Sequence, residues 1–351
     1  MHFIDIVQSQ QMPDQKKRGV ILMNLGSPDS TEVKDVRSYL NEFLMDGRVI
    51  DSPYPVRLML VRGIITPFRA PKSAEAYRAV WGADGSPLVS ITYKQKEALQ
   101  QLTADPIEVA MRYGNPTMKK AYDDLLAQNP GITEVVLLPL YPHYAMSSYE
   151  TAVEHAKAVH KKYKYPFSIK FVPAFYNHPA FINALADSIR PYMDADTHYL
   201  FSYHSIPERH ILKSDTTKSH CLQSPDCCTV ASPAHAQCYR HQCYVTTQLV
   251  TQQLNIPKNQ HSVSFQSKLG RSEWLKPATT KRMDELPREG IKKLAVICPS
   301  FVSDCLETLE EIALREKENF MKSGGESFTF IPCMDTRPMW INAMATLINE
   351  A

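Results

Sequence analysis

Histidine, glutamate, tryptophan and a crowd of cysteines mark the parts of this chain that could do chemistry. His204 falls at the end of HYLFSYHSIP (198–207), a short apolar and aromatic run that Pro207 stops. Such a run suits a strand covered on both faces, and the carboxyl end of a parallel strand is where open α/β sheets take ligands. A histidine there is either a hydrogen-bonded structural residue or an acid, base or metal ligand near neutral pH. In CPSFVSDCLETLEEI (298–312) a strand gives way at Pro299 to a helix starting near Asp304. Asp304 and Glu307 have capping-box spacing, with Leu306, Leu309, Ile312 and Ala313 as the core stripe behind them. A carboxylate in that first turn would equally point into a cleft. Trp274, in SFQSKLGRSEWLKPAT, is either packing or a flat wall for a flat ligand. LPLYPHYAMSSYE (138–150) ends another strand amid tyrosines.

These residues need elements to hold them, and the chain states those elements twice. GITEVVLL (131–138) matches GIKKLAVI (290–297), and VPAFYNHPAFINALADSI (172–189) matches IPCMDTRPMWINAMATLI (331–348), both at an offset of 159 residues. A shared offset in two separate segments is the mark of duplication. By pattern, GVILMNLG answers to HYLFSYHS and IEVAMRYG to HSVSFQSK. Each half then reads as four buried parallel strands separated by helices, predicted over 31–43, 93–102, 149–159 and 244–254 and from near Asp304 to Gly324. The fold class is α/β: two doubly wound, four-stranded, Rossmann-like domains with the ligand cleft between them. We expect a leader over 1–18, a first half over 19–178, a second over 179–334 with a cysteine-rich insertion at 218–243, and a C-terminal helix, 335–351, packing back on the first half. The repeat puts the 138–150 loop opposite the Glu307 loop across the cleft.

Composition sets outer limits. The 351 residues are 44% hydrophobic and 22% charged with a formal charge of +2, which describes an ordinary globular chain with core enough for two domains. No basic stripe with interleaved aromatics suggests nucleic acid. The longest apolar runs are too short or interrupted to span a bilayer, and the opening residues lack the order of a secretory signal, so a cytoplasmic location is expected.

Read in order, GVILMNLGSPDS, LPLYPHY, FSYHSIP, FQSKLGRSEWL and CPSFVSDCLETLEEI closely resemble ferrochelatases, above all proteobacterial ones, over nearly the whole chain from Gly19. The resemblance implies insertion of ferrous iron into protoporphyrin IX to form protohaem, with two protons released and no nucleotide involved. It implies two Rossmann-like halves around a porphyrin cleft. It makes His204 and Glu307 the catalytic pair, sharing iron ligation and removal of the pyrrole protons. Tyr113, Arg112, Trp274, Ser303 and Asp304 become porphyrin contacts, Arg69 or Arg112 meeting a propionate, and Asp304, Glu307, Glu310 and Glu311 an acidic path from solvent. For Glu310 and Glu311 a solvated helix face is the plainer account. The stretch 55–68 resembles a cleft lip able to touch a membrane or a haem acceptor. Rival readings are a chelatase for another tetrapyrrole, such as coproporphyrin III with iron or sirohydrochlorin with cobalt or nickel, and a non-catalytic haem-binding protein.

One region departs from the simplest relatives. Cys221, Cys227, Cys228, Cys238 and Cys243, five of the eight cysteines, fall within 23 residues. Without an export signal disulfides are not expected. Some ferrochelatases carry a [2Fe-2S] cluster on four thiolates. The animal arrangement does not transfer, because Met146 stands where those members have a cysteine after YPxY and no cysteine-bearing tail follows. The expected set is Cys221, Cys238 and Cys243 with one of Cys227 and Cys228; zinc, with His220, His235 or His241, and an unmetallated loop remain alternatives. Cys298, Cys305 and Cys333 read as core.

Overall fold

The computed structural model describes residues 17–351 apart from 269 and 271, so the expected leader lies outside the described residues except for its last two. Eight strands form two four-stranded parallel sheets. β1 (Arg18–Ser27), β2 (Ile107–Gly114), β3 (Glu134–Pro139) and β4 (Ser168–Phe171) lie in the order β2-β1-β3-β4. β5 (His198–His204), β6 (His261–Gln266), β7 (Lys293–Ile297) and β8 (Ser327–Phe330) repeat it as β6-β5-β7-β8. The offset of 159 relates the first residues of β3 and β7, of β4 and β8, and of helices Pro179–Ile189 and Pro338–Asn349. Duplication therefore holds in space as well as in sequence.

The central strands are buried along almost their full length, which explains their unbroken apolar runs: helices cover both faces. One core cluster runs through both halves, joining Val20 and Val136 to Phe181, Phe201, Tyr203 and Trp340. Helices Pro179–Ile189 and Pro338–Asn349 pack on each other at its centre, and the latter also lies against helix Pro87–Gln100 and β3. At the rim of the first sheet β1 and β2 approach so closely that a Cβ on Gly26 would lie 1.8 Å from the Tyr113 carbonyl oxygen, and its φ of +102° also favours glycine.

Three helices contain π-helical stretches, Met59–Ile65, Met146–Glu150 and Glu307–Glu316. Such i→i+5 turns often mark functional positions. The third replaces the α-helical start expected at Asp304, and with it the capping box. Asp304 N–H donates to Asp335 Oδ1 (2.8 Å), while Asp304 Oδ1 accepts from Thr308 Oγ1 (2.8 Å). Glu307 is thereby released from any capping duty.

The halves are also pinned at the surface. Asp51 of the first half accepts from Arg209 Nε (2.7 Å) and Lys213 Nζ of the second, with the His210 imidazole 3.8 Å away. Burial alone would raise the Asp51 carboxyl; the Lys213 and Arg209 hydrogen bonds more than offset it and hold it at about 2, against an ordinary 3.8. A depressed carboxyl contributes stability above its unfolded pKa and loses it as pH falls through the folded one. We expect Asp51→Asn to cost about 1 kcal/mol at pH 7. Denaturant titrations should show the gap from wild type closing between about pH 4 and pH 2; a gap independent of pH would disprove the assignment.

Candidate active site

His204 is the last residue of β5, which pairs with β6 on one side and β7 on the other, so its side chain emerges at the middle of the sheet's carboxyl rim. Its peptide is held on both sides. The amide donates to Ser300 Oγ (3.1 Å) and the carbonyl accepts from the Tyr239 hydroxyl (2.8 Å). Ring Nδ1 lies 2.6 Å from the Ser205 carbonyl oxygen. A carbonyl only accepts, so Nδ1 carries the hydrogen and Nε2 keeps a free lone pair. Burial pushes the imidazole pKa below its ordinary value; the Glu307 carboxylate works against that shift and the Arg69 guanidinium adds to it. At neutral pH His204 is thus an uncharged imidazole whose Nε2 could accept a proton or a metal ion.

Glu307 opens the third π-helical stretch, and Gln266 Nε2 donates to its carbonyl (3.0 Å). Its carboxylate feels His204, the Cys305 thiol and, from the first half, the Tyr39 and Tyr77 phenols. Sequence spacing places His204 and Glu307 in one half; the fold brings them within electrostatic reach and sets phenols of the other half opposite. The wide turn brings Glu311 close behind. Ser267 donates to it from its amide (2.9 Å) and hydroxyl (2.5 Å), and burial, with Glu307 adding to it, pushes its carboxyl up to about 7. Glu311 is therefore an enclosed titrating carboxyl, which corrects the solvated-face account. Beneath the loop, burial raises Asp304 and also raises Asp335, to about 7.

The other expected contacts divide. Trp274 pairs through its backbone with Pro207, which sets the half-buried indole at the rim near His204. Arg69 lies within reach of His204 and takes part in no ion pair among the described residues. Arg112 is committed elsewhere, with NH2 2.5 Å from Asp46 Oδ2 and Nε on Thr151 Oγ1 (2.8 Å), its guanidinium stacked over Tyr113. Tyr113 is fully buried with its hydroxyl on Asp46 (2.9 Å), Ser303 accepts from Gln95 Nε2 (3.0 Å), and Asp304 is spent on Thr308 and Cys333. The polar groups of these four residues are engaged within the protein, whereas Arg69 has no ion-pair partner among the described residues. The sequence pattern missed Gln95, Tyr239 and Asp335. For Asp335 a signal was present: the repeat has tyrosine, Tyr176, at that position in the first half.

The cysteine insertion is a tight loop beside this site. Asp215 organises it by accepting from the amides of Thr217, His220 and Cys221. The Cys238 thiol contacts those of Cys228 and Cys221 and is pushed down to about 6, chiefly by the hydrogen bond from Cys228. Arg240 NH1 lies 3.6 Å from Cys227 Sγ and 3.7 Å from Cys228 Sγ, and the Leu222 amide donates to Cys227 Sγ (3.4 Å). Cys243, also of the expected set, neighbours Cys238 as well. It is fully buried, with its thiol on Tyr239. The histidines are occupied too: His220 and His235 Nε2 face the Cys227 carbonyl (2.7 and 2.9 Å) and His241 Nδ1 the Cys228 carbonyl (2.7 Å). Among the described residues no three or more His, Cys, Asp or Glu side chains are arranged to hold a metal ion.

Comparison with known proteins agrees with this geometry. The ferrochelatase family profile matches residues 17–351. A ferrochelatase of Pseudomonas entomophila is 46% identical over 335 residues, covering 95% of this chain and 98% of that protein. One of Pseudomonas fluorescens is 45% identical, covering 95% and 97%. Among solved structures, SirB from Bacillus subtilis with Fe3+ superposes with a TM-score of 0.51 at 12% identity, covering 95% of each chain. The sirohydrochlorin chelatase SirB from Bacillus subtilis subspecies spizizenii in complex with cobalt gives 0.52 at 10% identity, covering 95% and 94%. At such low identity these two structures speak for the duplicated chelatase fold alone. By sequence over almost its full length, the chain belongs to the ferrochelatase family.

Proposed function

We propose that this ferrochelatase inserts Fe2+ into protoporphyrin IX in the cleft between the halves, with His204 and Glu307 as the reacting pair. The observation that carries the reading is His204 itself: a neutral imidazole with Nδ1 tied to Ser205 and Nε2 free, within reach of Glu307. Porphyrin metallation exchanges two pyrrole protons for one divalent ion. A base must take the protons while weak ligands pass on a partly dehydrated metal, and imidazole and carboxylate suit ferrous iron in both respects. Trp274 offers a flat wall and Arg69 a cation for a propionate. Stopped-flow or steady-state insertion under anaerobic conditions tests the substrate, protoporphyrin IX being the expected preference; a clear preference for coproporphyrin III would overturn it, and no insertion at all would favour a haem-binding protein.

Glu311, titrating at about 7 behind Glu307, is placed to take the protons on toward solvent. As a carboxylate it accepts them, so kcat should rise with pH through about 7. Glu311→Gln should remove that limb and lower kcat about tenfold. A pH-rate profile identical to wild type would disprove the relay.

For the cysteine loop we propose a [2Fe-2S] cluster on Cys221, Cys238 and Cys243 with one of Cys227 and Cys228, to whose sulfurs Arg240 and the Leu222 amide would donate; these thiols are not arranged as a metal site among the described residues, so the loop would have to rearrange to hold it. A bound cluster would cross-link the loop and supply a redox-sensitive centre outside the porphyrin cleft. The lip supports a loose membrane or haem-acceptor contact: Tyr54, Val56, Met59, Ile64 and Phe68 are exposed there, Phe68 at 75%. No helix among the described residues is long and apolar enough to cross a membrane. A cytoplasmic enzyme releasing hydrophobic haem at that lip is the reading we favour.

A further inference from the structure

Tyr239 stands where the cysteine loop meets the active site. It follows Cys238, the residue that caps helix Tyr239–Leu254, so the backbone of the thiol loop runs directly into it. The ring is 4% exposed and meets the buried His143 edge-on, with centroids 5.9 Å apart. Its hydroxyl donates to the His204 carbonyl (2.8 Å) and also contacts Ser300, whose Oγ accepts from the His204 amide (3.1 Å). The His204 peptide is clamped from both sides, and one jaw belongs to the thiol loop. The ring's own tether, Nδ1 to the carbonyl of Ser205, depends on that same stretch of backbone. A change in the loop that shifts the start of the helix therefore shifts the direction in which Nε2 points.

We propose that Tyr239 is a positioning residue for His204 and the physical link through which the thiol loop acts on metal transfer. The inference rests on the role of His204 proposed above. Tyr239→Phe keeps the ring and removes the clamp. It should lower kcat/KM for Fe2+ about tenfold, as a misplaced catalytic group does, while the protoporphyrin Kd, read by fluorescence quenching, stays within about twofold. Amide hydrogen exchange at 203–206 should rise in the same variant. Ser300→Ala, which loosens the opposite jaw, should lower the same parameter about threefold, and it serves as the test if Tyr239→Phe does not fold. Cys238→Ser should lower kcat/KM for Fe2+ in the wild-type background and add nothing in the Tyr239→Phe background, the non-additivity of groups acting through one contact. Full insertion activity in Tyr239→Phe or, failing that variant, in Ser300→Ala, alongside an inactive His204→Ala, would overturn the clamp. Full additivity with Cys238→Ser would overturn the link to the loop. Full activity in His204→Ala would instead overturn the reading of the active site.

Discussion

His204→Ala is expected to lower kcat/KM for iron insertion by about 10³-fold, the range of a lost acid-base group that also serves as a ligand. The porphyrin Kd should change little, since the ring sits at a strand end and Trp274, the proposed flat wall, is untouched. Folding should survive as well. The clamps on residue 204 from Ser300 and Tyr239 are made to its backbone and remain in the variant. Glu307→Gln keeps the side chain's shape and removes its charge; it should produce a loss of similar size. The double variant should be scarcely worse than either single one, because residues acting as a unit are non-additive. Insertion rates within tenfold of wild type for either single variant, at unchanged porphyrin affinity, would remove that residue from the reacting pair.

The second large effect concerns the loop. Protein prepared anaerobically with ample iron should be coloured and hold two iron and two acid-labile sulfide per chain, as a [2Fe-2S] centre requires. Serine at Cys221, Cys238 or Cys243 should abolish that visible absorption. Of Cys227→Ser and Cys228→Ser only one should abolish it, since a single member of that adjacent pair completes the four thiolates. The adjacent Cys227 and Cys228 sulfurs both lie near Arg240 NH1. Retained colour in Cys243→Ser would remove that cysteine from the ligand set. A colourless protein carrying one zinc would replace the cluster outright, although the histidines that could assist zinc already face the Cys227 and Cys228 carbonyls.

Much of this molecule was legible before any fold was drawn, and the reasons are local. Strands buried on both faces must be apolar throughout, which made β1, β3, β5 and β7 visible as unbroken runs. A duplicated unit repeats its spacing, so one offset located the strands and helices of both halves. Parallel sheets take ligands at their carboxyl ends, and that rule singled out His204. The helix carrying Glu307 was legible as a helix but not as a π-helix, because wide turns leave no periodic signature that a capping-box spacing does not mimic.

The amino-acid sequence determined the architecture, the order of the halves and the placing of the candidate pair, His204 and Glu307, since each depends on residue type and on spacing along the chain. Which groups are free to react was decided by tertiary structure alone. Arg112 and Arg69 are both arginines near the cleft, yet a buried Asp46 claims the first and no ion-pair partner among the described residues claims the second. Cys243 and Cys238 lie five residues apart and both are buried, yet burial raises the Cys243 thiol while hydrogen bonds from Cys228 and Cys221 lower that of Cys238. Glu311 looks like a surface glutamate, but enclosure beside Ser267 and Glu307 moves its titration to about 7. Hydrogen-bond partners, burial and neighbouring charge are properties of space rather than of sequence distance, and they turned the histidine of FSYHSIP into a neutral base with one nitrogen tied and the other free.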